Sequence, residues 1–232
     1  MDERWLIDER PPLSEADVET IEWKLAESGP TLRGGHTPTL AISLHDLTVH
    51  DNRKWFGEAD IRVDALVVTA PAPSGEADTA YRSQTARFPR VADGATLPLG
   101  DGGLLVFHGP ARHFLDLQLT VSRDRDGTED LSGLLADGLA SDEGRSAIDA
   151  LLGLTRLVQP VGAVTAAIAG AARLGDLAYR LLRTATGATI GLYRGAHLEH
   201  RDRFGIGAHP RPPRHAFRVN DLSFRYQVSV EE

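Results

Sequence analysis

The chain has 232 residues, 41% of them hydrophobic, which is enough to bury the core of one large domain or two small ones. Its 33 acidic and 25 basic residues give a net charge of −8, which argues against a nucleic-acid-binding protein that relies on bulk positive charge. The absence of cysteine excludes disulfides, thiolate metal sites and a cysteine nucleophile.

Residues 1–30 are predicted to form a charged tail followed by one short helix. The opening stretch, MDERWLIDER, has neither the basic nor the apolar region of a signal peptide, which favours a cytoplasmic location. Apolar residues then follow helical spacing between Ser14, the predicted N-cap, and Gly29. We assign residues 31–232 to a single domain.

Strand patterns begin at Leu40 and continue to Val49, with apolar residues at every second position. The alternation breaks at His45-Asp46, which predicts a bulge. Four further strands are predicted before the chain becomes strongly acidic: Ala59–Thr69, Tyr81–Val91, Leu104–Phe107 and Leu115–Val121.

Two helices are predicted in a segment of about 138–187 that interrupts the β pattern. Ser146–Val158 has apolar residues at helical spacing, and after a proline break Val161–Ala185 is rich in small residues and then in arginine. The uncharged run 157–172 is shorter than the roughly 20 residues that span a bilayer. We therefore expect a helical hairpin packed on the body, with small residues such as Gly170 at the close contacts.

Strand patterns return after the helices at Thr189–Tyr193, His197–His200 and Phe204–Ile206, and the last segment, Leu222–Val230, alternates throughout. Strands, then a helical segment, then strands again are typical of one mainly-β domain. The predicted fold is an antiparallel β-sandwich with an inserted α-helical hairpin.

The stretch Ser122–Gly133, SRDRDGTEDLSG, places Asp124, Asp126 and Asp130 directly after a predicted strand. Carboxylates this close repel one another unless a cation, basic neighbours or water offsets their charge. Calcium takes roughly 6–8 oxygen ligands in a flexible shell, so it suits this spacing. An EF-hand is excluded because its glycine and glutamate positions hold other residues, and the alternative is a solvated acidic turn.

A second acidic stretch lies at the corresponding end of the first strand pair. Asp51 follows the first strand, Gly57 lies in the connection, and Asp60 opens the second strand. The two stretches together predict a cup of five carboxylates between loops: Asp51, Asp60, Asp124, Asp126 and Asp130.

With these two stretches the sequence resembles the C2 domain family, the β-sandwich that binds calcium and phospholipid. The spacing of Asp51, Gly57 and Asp60 matches the first calcium loop of that family, and 122–133 matches its later loop. The resemblance implies that the five aspartates ligate one or two Ca²⁺ ions. It covers about 39–133 and the last strands, and leaves the helical segment outside.

The C2 family meets membranes with the loop tips beside its calcium ions. The matching first loop here carries two cations and two aromatic residues, Arg53, Lys54, Trp55 and Phe56, a combination that suits an anionic lipid interface. The alternative is that at least one aromatic ring packs between the sheets.

A histidine cluster near the end of the chain is the other candidate for metal chemistry. It contains His197, Glu199, His200 and His209, but the spacings of zinc peptidases are missed. We expect an exposed, salt-bridged strand there. Because no G-x-S-x-G elbow or other catalytic arrangement occurs, the chain is predicted not to be an enzyme.

The sequence therefore predicts a Ca²⁺-binding module that docks to an anionic membrane or a protein partner when calcium compensates the acidic cup. One alternative is a calcium-independent interaction scaffold or accessory regulator that uses the helical hairpin. Another is a membrane-disrupting effector that releases the hairpin. Peripheral attachment to the membrane is compatible with the predicted location, and the sequence does not predict an oligomeric state.

Overall fold

The computed structural model describes residues 37–70, 80–156, 160–210 and 216–231, with residues 153–156, 160–166, 200 and 201 described by their backbone alone. The predicted helix that follows Ser14 lies outside these residues.

Ten strands and four helices alternate in blocks along the described chain. In chain order the elements are β1 (Thr39–Val49), β2 (Ala59–Thr69), β3 (Tyr81–Val91), β4 (Ala95–Thr96), β5 (Leu104–Pro110), β6 (Phe114–Arg123), α1 (Leu131–Leu139), α2 (Asp142–Arg156), α3 (Pro160–Ala185), β7 (Thr189–Leu198), α4 (Glu199–Asp202), β8 (Gly207–His209), β9 (Phe217–Val219) and β10 (Leu222–Glu231).

The strands form two antiparallel sheets. In the first sheet β1 pairs with β10, while β4 and β5 extend it beside β1, and β8 and β9 extend it beside β10. The second sheet has the order β3-β2-β6-β7. The expected mainly-β, antiparallel two-sheet architecture is confirmed.

The second sheet is covered on both faces. One face packs against the first sheet through alternating apolar residues such as Val63 and Leu117, opposite Ile42 and Phe224. The other face packs against α1, α2 and α3, where Phe114 meets a set of buried helical residues that includes Leu135, Leu151, Leu174 and Leu182. The molecule is thus layered as sheet, sheet and helices.

Half of the helix-covered face is polar rather than apolar. Besides Phe114, the residues of β6 that point toward the helices are Asp116, Gln118, Thr120 and Ser122, and all are buried. Asp116 pairs with Arg194 of β7 at 2.8 Å. Burial lowers the pKa of this guanidinium, but the Asp116 carboxylate and, to a smaller extent, that of Asp176 outweigh it together, so the pKa of Arg194 is raised. Polar residues at alternate positions of a strand usually face solvent, but those of β6 form a buried polar layer.

Small residues set the distances between the helices, as expected. A Cβ atom on Gly170 of α3 would lie 3.0 Å from the Ala147 carbonyl oxygen of α2, so the two helices cross with their backbones close together. Within the described residues no helix combines the length and the apolar character that a bilayer span requires.

Most predicted elements are present, including the bulge of β1, where the register with β10 shifts between His45 and Thr48. Two strand predictions are wrong. Thr189–Tyr193 and the start of His197–His200 belong to one strand, β7, and the chain then turns helically in α4. Phe204–Ile206 is not a strand, because Phe204 has a positive φ and its ring is buried in the sandwich.

Candidate docking loop and acidic cleft

The connection between β1 and β2 is anchored by a buried amide. Asn52 is completely buried, and its Nδ2 donates to the carbonyl oxygens of Gly57 at 2.9 Å and Val91 at 3.0 Å. Its Oδ1 accepts from the Lys54 N–H at 2.9 Å, and its own N–H donates to Asp93 Oδ1 at 2.7 Å. Four hydrogen bonds therefore fix the base of the loop.

Local turns complete the loop. The Arg53 N–H donates to Asp51 Oδ1 at 2.7 Å, an Asx turn. The Lys54 ammonium donates to the Glu58 carbonyl oxygen at 2.6 Å. Gly57 has a φ of 77°, which glycine adopts without strain and which reverses the chain toward β2.

The tip of this loop consists of two aromatic side chains that point into solvent. Trp55 is 88% exposed and Phe56 is 79% exposed. Their rings contact one another edge to face, with centroids 6.1 Å apart. The expectation that at least one ring packs between the sheets is wrong, because Asn52 occupies the anchoring position of the loop and the tight turn directs both rings outward.

The two cations of the loop differ in the partners that they bind. Arg53 forms an ion pair with Asp221, and its carbonyl oxygen accepts a hydrogen bond from Arg123. Lys54 is exposed, and its bonded partner is a neutral carbonyl group, so its positive charge is not cancelled by that partner. We name Arg53, Lys54, Trp55 and Phe56 the docking loop.

Three of the five predicted calcium ligands lie together. Asp60, Asp124 and Asp126 line one open surface cleft of about 200 Å³, together with Lys54 and Arg123. The two acidic stretches meet through a backbone hydrogen bond from the Asp124 N–H to the Asp60 carbonyl oxygen, 2.7 Å long. Asp51 and Asp130 are not among the residues that line this acidic cleft.

Arginine side chains from neighbouring strands neutralise much of the acidic stretch. Arg87 of β3 binds Asp124 with an Nε–Oδ2 distance of 2.9 Å and also pairs with Asp130. Its Nη2 donates to the Thr128 carbonyl oxygen at 2.7 Å. The hydrogen bond with Asp130 is the main reason that the pKa of Arg87 is raised, although burial opposes it.

A second arginine, Arg62, also contacts the acidic stretch. Arg62 and Asp64 of β2 are completely buried at their side chains and form a bidentate pair, with both contacts at 2.7 Å. Arg62 Nη1 also donates to the Glu129 carbonyl oxygen at 3.1 Å and lies 3.5 Å from Asp124 Oδ1. Asp124 is therefore held between two guanidinium groups.

The remaining oxygen atoms do not converge on one point. Asp60 Oδ1 accepts a hydrogen bond from the Arg90 N–H at 2.9 Å, and Gly133, which matches the later C2 loop, lies inside α1. Across the part of the chain that the structure describes, no group of three or more acidic or histidine residues has an arrangement that could hold a metal ion.

Two residues of the histidine cluster, His197 and His209, are buried, so the expectation of an exposed strand is wrong at His197, which is 3% exposed. His197 Nδ1 bonds to Asp202 at 2.8 Å, and its Nε2 bonds to the Tyr226 hydroxyl at 2.9 Å. The Tyr226 hydroxyl lies 3.1 Å from that of Tyr193. This chain of bonds ties β7 to β10 in the interior. Spacing within the histidine segment gave no signal for either tyrosine.

The same cluster contains His209, whose Nε2 bonds to the Gly205 carbonyl oxygen at 2.6 Å. Its ring stacks on Tyr226 with centroids 4.6 Å apart. Glu199 lies in α4 and accepts from the His113 N–H instead of joining the cluster. The arrangement is that of a packed polar core rather than of an open metal site.

No protein-family model matches the chain, and comparisons with curated proteins and with solved structures found no match. The docking loop and the acidic cleft are therefore interpreted from their own geometry.

Proposed function

We propose that this chain is a non-enzymatic, C2-like docking module that seats Trp55 and Phe56 in the interface of an anionic membrane and does so without Ca²⁺. The observation that carries the proposal is the exposure of both aromatic rings at the tip of a loop whose base is fixed by Asn52. The two rings contact one another and form one exposed apolar patch, and such patches mark sites that bind a protein or a membrane.

The energetics favour reversible docking. Burying a large apolar side chain stabilises by roughly 1.5–3 kcal/mol, and a lysine near an anionic lipid surface adds about 1 kcal/mol. Because the loop is already ordered, little conformational entropy is lost on binding. The net charge of −8 opposes the approach, but charges farther than about 8 Å from the lipid are largely screened at physiological ionic strength.

Independence from calcium is supported by the arginines. Arg87 and Arg62 already supply positive charge to Asp124, and Arg87 also supplies it to Asp130. A Ca²⁺ ion that used these carboxylates would have to displace bonded guanidinium groups. The two-sheet sandwich and the meeting of its two acidic stretches at one end support the C2-like description.

Vesicle sedimentation tests the proposal. The full chain is mixed in EDTA with vesicles of phosphatidylserine and phosphatidylcholine, or of phosphatidylcholine alone. We expect binding to the anionic vesicles, and loss of that binding in Trp55→Ser/Phe56→Ser. Leu105→Ser is the matched control, because Leu105 is 46% exposed on β5, outside the docking loop. An absence of vesicle binding would favour a protein partner for the loop.

A calcium-dependent form of the same module is the second candidate, because Asp60, Asp124 and Asp126 line one cleft beside the loop. In this form Ca²⁺ would compensate the acidic cleft and vesicle binding would require it. Calorimetric titration with Ca²⁺ distinguishes the two forms. Binding heat from the parent protein that disappears in Asp124→Asn/Asp126→Asn would replace the first candidate with the second.

A further inference from the structure

The acidic cleft contains cations as well as carboxylates, and it adjoins the docking loop. Its lining consists of Lys54, Ala59, Asp60, Arg123, Asp124 and Asp126. Lys54 is itself part of the docking loop, and Arg123 Nη1 donates to the Arg53 carbonyl oxygen of that loop at 3.1 Å. The cleft and the loop therefore form one continuous surface.

The two cations of the cleft are bonded to neutral groups. The Lys54 ammonium donates to the Glu58 carbonyl oxygen at 2.6 Å, and the half-buried Arg123 side chain donates to that of Arg53. Neither side chain forms an ion pair with a carboxylate of the described residues. Both positive charges are therefore held in place and are not neutralised by an acidic neighbour.

Two of the three carboxylates also have no cationic partner in the part of the chain that the structure describes. Asp124 is held between the two guanidinium groups described above. Asp60 instead accepts from the backbone N–H of Arg90, and Asp126 is exposed and bonds to no described residue. The cleft thus presents two positive and two negative groups that share one opening without pairing with one another.

A ligand with one anionic and one cationic group satisfies both pairs. Charge-assisted hydrogen bonds are stronger than neutral ones, so a phosphate suits the lysine and the arginine, and a primary ammonium, which has three N–H donors, suits the aspartates. A quaternary ammonium cannot donate and is usually bound by aromatic rings, yet Trp55 and Phe56 are not among the residues that line the cleft. The additional carboxylate of a serine headgroup would be repelled by the aspartates.

We infer that the acidic cleft binds the headgroup of phosphatidylethanolamine, with the phosphate at Lys54 and Arg123 and the ammonium at Asp60 and Asp126. The inference deepens the proposed membrane docking and rests on it, because aromatic rings in the membrane interface bring the adjoining cleft to the level of the headgroups. The cleft is open to the surface, so the glycerol and acyl chains of the lipid can lie outside it. The docking loop supplies affinity for anionic membranes, and the cleft selects among their lipids.

Sedimentation with two matched kinds of vesicle, both in EDTA, tests this selection. Each contains the same fraction of anionic phosphatidylglycerol, and the remainder is phosphatidylethanolamine in one and phosphatidylcholine in the other. We expect the full chain to bind the first kind about tenfold more tightly. Asp126→Asn should bind both kinds alike. Asp149→Asn, which makes the same change in net charge at an exposed position of α2, should keep the preference.

A soluble headgroup tests the cleft apart from the membrane. Glycerophosphoethanolamine at millimolar concentration should shift the amide NMR signals of Asp60, Arg123 and Asp126, and glycerophosphocholine should not. Equal binding of the parent to both kinds of vesicle, a preference that Asp126→Asn retains, or an absence of these shifts overturns the inference and leaves docking by the loop intact. Failure to bind either kind of vesicle, with the shifts present, refutes the docking loop and supports the cleft as the headgroup site.

Discussion

Asn52 shows how one side chain determines the shape of the docking loop. It is completely buried, and its amide donates to the carbonyl oxygens of Gly57, within the connection between β1 and β2, and of Val91, at the end of β3. Neither a hydrophobic residue nor a shorter polar one can make these bonds. Trp55 and Phe56 lie between this anchor and Gly57, to which it is bonded, so the anchor closes the turn that carries both rings.

Replacement of the anchor should therefore be costly. Asn52→Ala leaves the carbonyl oxygens of Gly57 and Val91 without their donor, and we expect a loss of about 2 kcal/mol in the free energy of unfolding. Asp51→Ala is the control, because Asp51 is exposed and makes a single local bond to the Arg53 N–H. Urea denaturation measures both, and equal losses would contradict the anchoring role.

Replacement of Thr120 should have the opposite effect and stabilise the protein. The Thr120 hydroxyl, like that of Ser122, is buried beneath the helices and has no hydrogen-bond partner among the residues that the structure describes. Thr120→Val removes an unsatisfied polar group at nearly constant volume, and we expect a gain of about 1 kcal/mol in stability. Thr69→Val should destabilise, because the Thr69 hydroxyl donates to and accepts from the backbone of Arg112. Destabilisation by Thr120→Val in urea denaturation would show that this hydroxyl has a partner.

The carboxylates of the site could be recognised in the sequence, but their partners could not. Spacing identifies Asp124, Asp126 and Asp130 because they are neighbours along the chain. Arg62 and Arg87 lie far from them in sequence and reach them only because β2 pairs with β6, and β3 with β2, in one sheet. The sequence therefore predicts a cluster of negative charge, and the fold supplies the cations that offset it.

At the scale of elements, the interaction of β3 with the acidic stretch predicts when the protein responds to Ca²⁺. In Arg87→Gln the Asp124 and Asp130 carboxylates lose a bonded guanidinium, and we expect a loss of about 1 kcal/mol in stability. The freed carboxylates should then respond to Ca²⁺ by a rise in melting temperature, whereas the parent should not. Arg82→Gln, on the same strand, is the control. A calcium response of the parent equal to that of Arg87→Gln would contradict this account.

The close contact between α2 and α3 predicts how the replacement of glycine by alanine changes the stability of the protein. Alanine normally favours a helix over glycine by about 1 kcal/mol. At Gly170, however, a Cβ atom would meet the backbone of α2 at 3.0 Å, so Gly170→Ala should destabilise. At Gly133 in α1 the nearest atom is the end of the flexible Glu129 side chain, at 3.1 Å, and Gly133→Ala should be neutral or stabilising. Thermal unfolding of the two variants distinguishes them, and a stable Gly170→Ala would contradict the close crossing.

Element prediction succeeded where the period of the pattern was long and unbroken. α3 and β10 follow the expected bounds closely, because each continues one periodicity for many residues, and β2 and β3 also match, β2 through its β-branched residues and β3 through the turn residues that bound it. It failed after Leu198, where a helical turn follows β7 directly and Phe204 enters the core from irregular backbone. Helix α1 was also not predicted, because its first residues were interpreted as part of the acidic loop that precedes Leu131.

At the scale of the whole molecule, the three layers explain why an alternating strand pattern did not show which strand faces are exposed to water. β6 alternates strictly, which is typical of a strand with one wet face, but its polar side is covered by α3 and contributes to a buried polar layer. Sequence periodicity reports which residues share a face. It does not report what covers that face, so the position of the helices on the second sheet could not be predicted.

Salt should separate the contributions to membrane docking. The rings of Trp55 and Phe56 bind through apolar burial, which salt does not screen, while the attraction of Lys54 to anionic lipid is screened by salt. Raising the salt concentration should therefore weaken vesicle binding by a modest factor without abolishing it. Sedimentation with anionic vesicles across a salt series measures this, and a steep loss of binding would indicate that Arg53 and Lys54 dominate instead.

The most direct test of the central claim is the fluorescence of Trp55 itself. The chain has three tryptophans, and Trp5→Phe/Trp23→Phe leaves Trp55 as the single reporter. We expect a blue shift of its emission when anionic vesicles are added in EDTA, because the indole moves from water into the lipid interface. An emission maximum that stays unchanged, or that shifts only after Ca²⁺ is added, would contradict calcium-independent docking by this loop.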